Sequence, residues 1–222
     1  VAMRFIAKLI DLVEEFGEAK VVLTGGTMGE AVLEAVRTAP NVSAVPWGRV
    51  NVWWGDERWL PAGDVERNDT LARRALLDHI PVDPARVHPM PASDGGLDLD
   101  AAAIAYEAEI AAAAPSHLSL PPFDIVFLGV GPDGHVASLF PNADGVQERD
   151  RLVIPVRNSP KPPPERLSLT LPVINSSARV WMVLAGADKA SALGLALAGA
   201  SIDEVPVAGV RARRTTIFWI EQ

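Results

Sequence analysis

The chain has 222 residues, contains no cysteine and carries a formal net charge of −8 at pH 7. The absence of cysteine excludes disulfide bonds and thiol chemistry, and the negative charge argues against a nucleic-acid partner, because binding a polyanion requires a basic surface. Hydrophobic residues make up 49% of the sequence, enough for a large buried core. No apolar run reaches the ~20 residues needed to span a bilayer. These features predict a cytoplasmic globular protein with no membrane partner.

Helical and strand patterns alternate along the chain. Helices are predicted near residues 3–16, 29–38, 68–78, 98–113 and 187–198. Strands are predicted near residues 20–24, 50–54, 124–129, 152–156, 166–170, 179–184 and 215–220. Such alternation is typical of βα units, so we predict an α/β protein with a doubly wound, mainly parallel sheet flanked by helices, Rossmann-like in arrangement. Residues 1–222 are expected to form one domain, a common length for this class.

The segment FDIVFLGVGPDGHVASLFP, residues 123–141, carries the strongest functional signal. Its apolar run is typical of a strand buried on both faces, and it ends in a glycine-rich turn that presents His135. Open α/β sheets place their ligands and reacting groups at the carboxyl ends of their strands. Histidine titrates near neutral pH, so we interpret His135 as a general base that activates water. The alternative is a turn histidine with a structural hydrogen bond.

Roles are also predicted for the neighbours of His135 in the same segment. Asp133 either caps its own loop or orients the imidazole. Gly131 and Gly134 allow backbone conformations that residues with a Cβ resist, and they leave space for a substrate. Ser138 follows His135 by three residues, but no Gly-x-Ser-x-Gly elbow is present, so Ser138 is predicted to cap a helix. The other histidines lack the spacing of metal ligands, and no metal is expected.

A second predicted strand, residues 20–24, ends in a glycine loop. Thr24, Gly25, Gly26 and Thr27 offer backbone amides and hydroxyls at a helix start, which suits an anion such as phosphate. The structural alternative is an ordinary strand-to-helix turn. The motif is not Gly-x-Gly-x-x-Gly, so a dinucleotide cofactor is not favoured.

Charged residues elsewhere are suited to the same ligand. The predicted strand that begins at Val50 ends in Asp56-Glu57-Arg58, and charges so close to a buried strand end are expected to face a cleft. Lys189 lies in the first turn of a helix, where a cation opposes the helix dipole, which suggests that it is placed there for an anion. The proline-rich residues 159–164 are expected to form a stiff loop near the site.

These segments resemble the 6-phosphogluconolactonase family, within the glucosamine-6-phosphate isomerase/6-phosphogluconolactonase superfamily. GPDGHVASLFP is similar to that family's histidine loop, GDERWLPAGDVERN to its Asp-Glu-Arg segment and TGGT to its phosphate-side loop. PPPERLSLTLPVIN and LAGADKASAL resemble later blocks in the same order, so the resemblance covers residues 21–193. It implies hydrolysis of 6-phospho-D-glucono-1,5-lactone in the pentose phosphate pathway, with no cofactor.

The resemblance also implies roles for individual residues, beginning with His135 as the base. Substrate or phosphate contacts are implied for Asp56, Arg58, Asn68, Arg166 and Lys189. Where this chain has Thr27-Met28, the family commonly has a Thr-Pro or Ser-Pro step. The family usually has serine where this chain has Arg67, which is therefore either an additional phosphate contact or an exposed residue. The family also has a strand before its first helix, whereas this chain begins within a helical pattern.

Two alternatives to a lactonase remain. Glucosamine-6-phosphate deaminases or isomerases resemble this fold, but their motif continues as Gly-His-Ile-Ala-Phe-Asn-Glu-Pro. Here Ser-Leu-Phe-Pro follows residues 134–137, without the acidic residue that the amine reaction needs. A non-catalytic sugar-phosphate-binding domain would not require His135 beside Asp133. We therefore expect an enzyme with a small phosphosugar lactone as substrate, acting as a monomer, with a homodimer as the alternative.

Overall fold

Eight strands form two sheets in the computed structural model, which describes residues 1–221. The strands are β1 (Ala19–Leu23), β2 (Val50–Trp54), β3 (Asp56–Arg58), β4 (Ile125–Gly129), β5 (Val153–Val156), β6 (Arg166–Leu169), β7 (Arg179–Ala185) and β8 (Thr215–Glu221). Five of them pair in parallel, in the order β2-β1-β4-β7-β8. The predicted α/β architecture with a mainly parallel sheet is confirmed.

Five of the six α-helices in residues 1–221 lie close to the predicted positions, whereas the short helix at residues 171–176 was not predicted. The six are α1 (Ala2–Phe16), α2 (Gly26–Arg37), α3 (Asn68–Ala75), α4 (Leu99–Ala112), α5 (Leu171–Ser176) and α6 (Ala187–Leu197). Helix α1 ends at Gly17, whose φ of 80° lies in the left-handed region that glycine adopts without strain. Helix α4 begins after Asp98, whose carboxylate accepts a 2.8 Å hydrogen bond from the backbone N–H of Ala101. None of the helices described in residues 1–221 is long and apolar enough to cross a membrane.

The central strands are buried, which explains their continuous apolar runs. Residues 125–128 of β4 are all buried, and Phe127 packs edge-on against Phe5 of α1, with ring centroids 5.0 Å apart. On β7, Trp181 packs against Phe127 at 5.6 Å. Burying each such side chain contributes about 1.5–3 kcal/mol, so the core fixes the strand register firmly. The carboxyl ends of these strands, where the glycine loop and the histidine loop begin, are fixed with it.

The second sheet was not predicted. Strand β2 matches the predicted residues 50–54, but the Asp-Glu-Arg cluster expected at its end forms the separate strand β3, and Gly55 between them donates a 2.9 Å hydrogen bond to the carbonyl of Leu23. Beyond Gly55 the chain leaves the parallel sheet. Strand β3 pairs antiparallel with β6, which pairs antiparallel with β5. Strand β6 lies within the predicted residues 166–170, and the apolar residues that follow it form the unpredicted helix α5, which begins at Leu171 and has a proline in its first turn.

Candidate active site

A cleft of about 270 Å³ lies where the carboxyl ends of β1, β4 and β7 meet the small antiparallel sheet. The residues assigned from the sequence that line it are Thr24, Gly25, Gly26, Thr27, Asp56, Arg58, Asn68, Gly131, His135, Arg166 and Lys189. Asp133 and Gly134 adjoin His135 in the turn but lie outside the wall of the cleft. The structure therefore brings together the glycine loop, the Asp-Glu-Arg segment and the histidine loop, which lie far apart in the sequence.

A larger cavity, about 530 Å³, lies at the opposite edge of the sheet. Lys20, Asp124 and Arg179, at the starts of β1, β4 and β7, contribute to its wall. It contains neither the glycine loop nor the histidine loop. Because open α/β sheets bind their ligands at the carboxyl ends of the strands, the smaller cleft is the candidate active site.

His135 is held in one orientation by Asp133. The Oδ1 atom of Asp133 accepts hydrogen bonds from His135 Nδ1 at 2.5 Å and from the backbone N–H of His135 at 3.3 Å. Burial is the largest single influence on the pKa of this carboxyl and raises it, but the two hydrogen bonds from His135 and the positive charge nearby together outweigh burial and lower the pKa of Asp133 to about 2. Since an ionised carboxylate can only accept, Nδ1 carries a proton and neutral His135 keeps a lone pair on Nε2.

The turn around His135 requires two of its glycines. A Cβ on Gly131 would lie 2.0 Å from His135 Nδ1, so any other residue would displace the imidazole. Gly134 has a φ of +79°, and a Cβ there would lie 2.5 Å from a methyl carbon of Val205. On its other side the imidazole packs against Phe140, with ring centroids 4.6 Å apart. The side chain of His135 is 16% exposed, so it lies between the core and the cleft.

Asp56 links several parts of the site. Its Oδ2 atom accepts a 2.7 Å hydrogen bond from Ser138 Oγ. Asn68 Nδ2 donates to the backbone carbonyl of Asp56 at 2.8 Å and approaches its Oδ1 at 3.3 Å, while Arg166 Nη1 lies 4.0 Å from Oδ2. The prediction that Ser138 caps a helix is wrong, because no helix begins there and the hydroxyl instead binds this buried carboxylate.

Two helices present their amino-terminal turns to the cleft. Helix α2 begins at Gly26, and among the described residues no side chain binds its first amides; Gly26, Thr27 and Met28 line the cleft. Lys189 enters the same cleft from the first turn of α6. Thr24 closes the loop by accepting a 3.2 Å hydrogen bond from the backbone N–H of Gly129. Unpaired helix amides beside a lysine form a favourable environment for an anion.

Arg67 is neither exposed nor a cleft residue, so both interpretations of it were wrong. It is 2% exposed, and its Nη2 atom lies 3.5 Å from Glu57 Oε2. The same guanidinium binds Asp69 and the carbonyls of Leu60, Met90 and Pro91. Burial raises the pKa of Glu57 to about 7, although the charge of Arg67 and hydrogen bonds from the amides of residues 58, 68 and 69 oppose this. This pair anchors the start of α3, and with it Asn68.

Arg58 and Arg166 use part of their donor capacity within the protein. Arg58 Nη1 donates to the carbonyl of Glu66 at 2.6 Å. Arg166 Nε donates to the carbonyl of Pro163 at 3.2 Å, and Nη2 donates to those of Lys161 and Pro162. Lys161 also lines the cleft and was missed from the sequence, although its loop was expected near the site. Across residues 1–221, no group of three His, Asp or Glu side chains could hold a metal ion.

Comparisons with known proteins indicate the family of the chain. A family model described as "Glucosamine-6-phosphate isomerases/6-phosphogluconolactonase" matches residues 1–219. A 6-phosphogluconolactonase of Streptomyces coelicolor is 51% identical over 224 residues, which cover 99% of this chain and 86% of that protein. One of Mycobacterium leprae is 48% identical over 206 residues, covering 92% of this chain and 83% of the relative.

Among solved structures, a 6-phosphogluconolactonase of Thermotoga maritima superposes with a TM-score of 0.86 at 28% identity. That match covers 100% of this chain and 93% of the other. The match of the family model over residues 1–219, the two relatives and the similar fold all point to one family. The chain belongs to the glucosamine-6-phosphate isomerase/6-phosphogluconolactonase family.

Proposed function

We propose that this chain is a 6-phosphogluconolactonase, which hydrolyses 6-phospho-D-glucono-1,5-lactone to 6-phosphogluconate in the pentose phosphate pathway. The observation that carries the proposal is the imidazole of His135, which borders a cleft lined by the start of α2 and by cationic side chains and is fixed by the carboxylate of Asp133 at 2.5 Å. Relatives that are 51% and 48% identical carry this name. A bound phosphosugar would be held at one end by its phosphate and would present its lactone to His135.

His135 acts as a general base and then as a general acid. Its Nε2 atom takes a proton from water as the water oxygen attacks the lactone carbonyl and forms a tetrahedral oxyanion. The oxyanion collapses, the bond from C1 to the ring oxygen breaks, and the imidazolium returns its proton to that oxygen. Asp133 accepts the Nδ1 hydrogen bond throughout and stabilises the imidazolium. General acid–base catalysis of this kind contributes about 10²–10⁴-fold.

The phosphate is assigned to the other components of the cleft. Amides of Gly26 and Thr27 at the start of α2 bind its oxygens, and Lys189, Arg58 and Arg166 supply positive charge. Fixing the phosphate fixes the register of the ring, so that the carbonyl carbon lies near the attacking water. A lactone is already a reactive ester, so we propose no cofactor or metal ion.

The related deaminase reaction is less well supported. It needs an additional acid near the histidine, and the histidine loop offers Ser138 and Phe140 instead. Ser138 is occupied by its hydrogen bond to Asp56, and Phe140 packs against the imidazole ring. The geometry therefore favours water as the reactant that His135 activates.

One assay distinguishes the two reactions. Freshly generated 6-phosphogluconolactone is added to the protein, and proton release is measured after the spontaneous opening has been subtracted. Ammonia release from glucosamine 6-phosphate is measured in parallel. We expect rapid proton release, lost in His135→Gln, and no ammonia above background. Ammonia release that depends on His135, or lactone opening no faster than the background, would overturn the proposal.

We further propose that residues 1–222 form one domain that acts as a cytoplasmic monomer, without a nucleic-acid or membrane partner. One connected cluster of buried residues runs from Phe5 to Val210, which supports the single domain. Light scattering during size-exclusion chromatography tests the oligomeric state, and a mass near 23.7 kDa is expected.

A further inference from the structure

The proline-rich loop, residues 159–164, places a second lysine at the cleft. Lys161 lines the cleft beside Pro162, and His135 is part of the same wall. Within residues 1–221 the ammonium group of Lys161 has no hydrogen bond or ion pair, whereas Lys8 and Lys20 are paired with carboxylates. An unpaired, half-buried ammonium in a cleft is available to a ligand.

The backbone of this loop is fixed before any ligand binds. Arg166 donates to three consecutive carbonyls of the loop, those of Lys161, Pro162 and Pro163, at 3.0, 3.1 and 3.2 Å. The amide of Ser159 donates to the carbonyl of Pro164 at 2.9 Å, which closes the loop on itself. Arg166 is itself 5% exposed. Ordering the loop in advance reduces the entropy lost when the ligand binds.

Lys161 lies on the histidine side of the cleft. Burial raises the pKa of Asp133 and the hydrogen bond from His135 lowers it. The positive charge of Lys161 is a smaller cause that also lowers this pKa. Contacts agree with this placement, because the guanidinium of Arg166 binds the carbonyl of Lys161 and lies 5.7 Å from the ring centroid of Phe140, which packs against His135. Lys189, by contrast, extends from the amino terminus of α6, where the phosphate is assigned. The two lysines differ in the element that carries them and in their neighbours.

We propose that Lys161 contacts the substrate and stabilises the negative charge that develops on the lactone carbonyl oxygen, and that Arg166 positions Lys161 for this role. The inference rests on the proposed lactonase function. Attack by water converts a neutral carbonyl into an oxyanion, and the ammonium donates a hydrogen bond to it without transferring its proton. A donor of this kind interacts more strongly with the transition state than with the substrate, so it acts on kcat.

The first test compares three variants that each remove one lysine charge, namely Lys161→Met, Lys189→Met and the distant control Lys8→Met. We expect Lys161→Met to lower kcat by about 10–10³-fold with little change in KM, in line with loss of one oxyanion donor. Lys8→Met should behave like the wild type. If Lys161→Met has the kinetics of Lys8→Met, the inference is wrong. If the wild type itself does not accelerate lactone opening, the proposed function fails instead.

Binding measurements separate the carbonyl end from the phosphate end. Isothermal titration of the same variants with 6-phosphogluconate and with inorganic phosphate reports on the two groups. Lys161→Met is expected to weaken the binding of 6-phosphogluconate, whose carboxylate takes the place of the lactone carbonyl, and to leave the binding of inorganic phosphate unchanged. Lys189→Met is expected to weaken the binding of both. Equal weakening of both ligands by Lys161→Met would assign Lys161 to the phosphate and overturn the inference.

The role of Arg166 is tested by combining variants. If Arg166 acts on kcat through Lys161, then Arg166→Met lowers kcat in the wild type but has little further effect on kcat in the Lys161→Met background. Arg166→Lys should restore little, because an ammonium does not reproduce the planar fork that contacts three carbonyls. If the fold-loss of kcat in the double variant equals the product of the losses in the two single variants, Arg166 does not act through Lys161. Thermal melts establish that each variant is folded.

Discussion

Ser138 Oγ donates a 2.7 Å hydrogen bond to Asp56 Oδ2 and so connects two segments that lie 82 residues apart in the chain. The two residues are 2% and 6% exposed. Ser138 belongs to the histidine loop, whereas Asp56 belongs to β3 of the small antiparallel sheet. The bond therefore fixes the position of the imidazole relative to the sheet that carries Arg58 and Arg166.

Removing this hydroxyl should affect both stability and turnover. In Ser138→Ala the buried carboxylate of Asp56 loses a donor, and leaving such a group less satisfied costs about 1–3 kcal/mol. The free energy of unfolding, measured in urea, should fall by that amount, and kcat should fall as the histidine loop shifts. Ser191→Ala removes an exposed hydroxyl from α6 and should change neither. Equal unfolding free energies for the two variants would contradict the structural role.

His135→Gln should reduce kcat by about 10²–10⁴-fold, because the amide cannot act as a base. The side chain is partly exposed to the cleft, so the circular dichroism spectrum and the melting temperature should stay near those of the wild type. His117→Gln changes an exposed histidine and is the matched control. A His135→Gln variant with near-normal kcat would remove His135 from the mechanism.

Gly131→Ala should reduce turnover without adding or removing any polar group. The new Cβ would lie 2.0 Å from His135 Nδ1, so the imidazole must move away from its position beside Asp133. A misplaced catalytic group costs roughly 10²-fold in rate. Gly48→Ala introduces the same methyl group where nothing lies within 4 Å and should be active. Equal kcat values for the two alanine variants would show that the close approach is unimportant.

Lys189→Met should raise KM by at least about tenfold and change kcat much less, since a phosphate that is bound equally in substrate and transition state affects binding alone. Steady-state kinetics over a wide range of lactone concentration provide both constants. An unchanged KM would reject the assignment of Lys189 to the phosphate.

Glu57 predicts a dependence of stability on pH. Burial raises its pKa from 4.5 to about 7 in the folded state, so between these values the folded protein binds more protons than the unfolded chain. The contribution of Glu57 to stability is therefore fully present below pH ~4.5 and declines as the pH rises to about 7, by at most about 3 kcal/mol. Urea unfolding of the wild type and of Glu57→Gln, at a series of pH values, measures the difference. If the difference in unfolding free energy between the two proteins is the same at every pH in this range, the pKa of Glu57 is not raised in the folded state.

Much of the parallel sheet could be predicted from the sequence, because β1, β4 and β7 are largely apolar and glycine follows closely after each of them. The loops also identified His135 and the helix amides near Thr27, since strand ends meet at one edge of such a sheet. What the sequence did not reveal depends on contacts between distant segments. The antiparallel pairing of β3 with β6 leaves no local pattern, because a three-residue strand is too short to show alternation.

The same reason explains the errors at single residues. Arginine is usually exposed, and nothing near Arg67 in the chain indicates that carbonyls of residues 90 and 91 surround it. Ser138 was assigned to a helix because its partner, Asp56, is remote in sequence. Lys161 was missed because its position over the cleft depends on three carbonyls that bind Arg166.

The small volume of the cleft also limits which metabolites can compete for it. Ligand pockets commonly enclose about 300–1,000 Å³, and this one, at about 270 Å³, lies just below that range. A single sugar ring with its phosphate suits such a space, whereas a nucleotide sugar or a dinucleotide would extend into solvent. We therefore expect the cleft to select ligands by size before any bond is broken, and bulkier phosphorylated compounds to inhibit only weakly even though they carry the same anionic group.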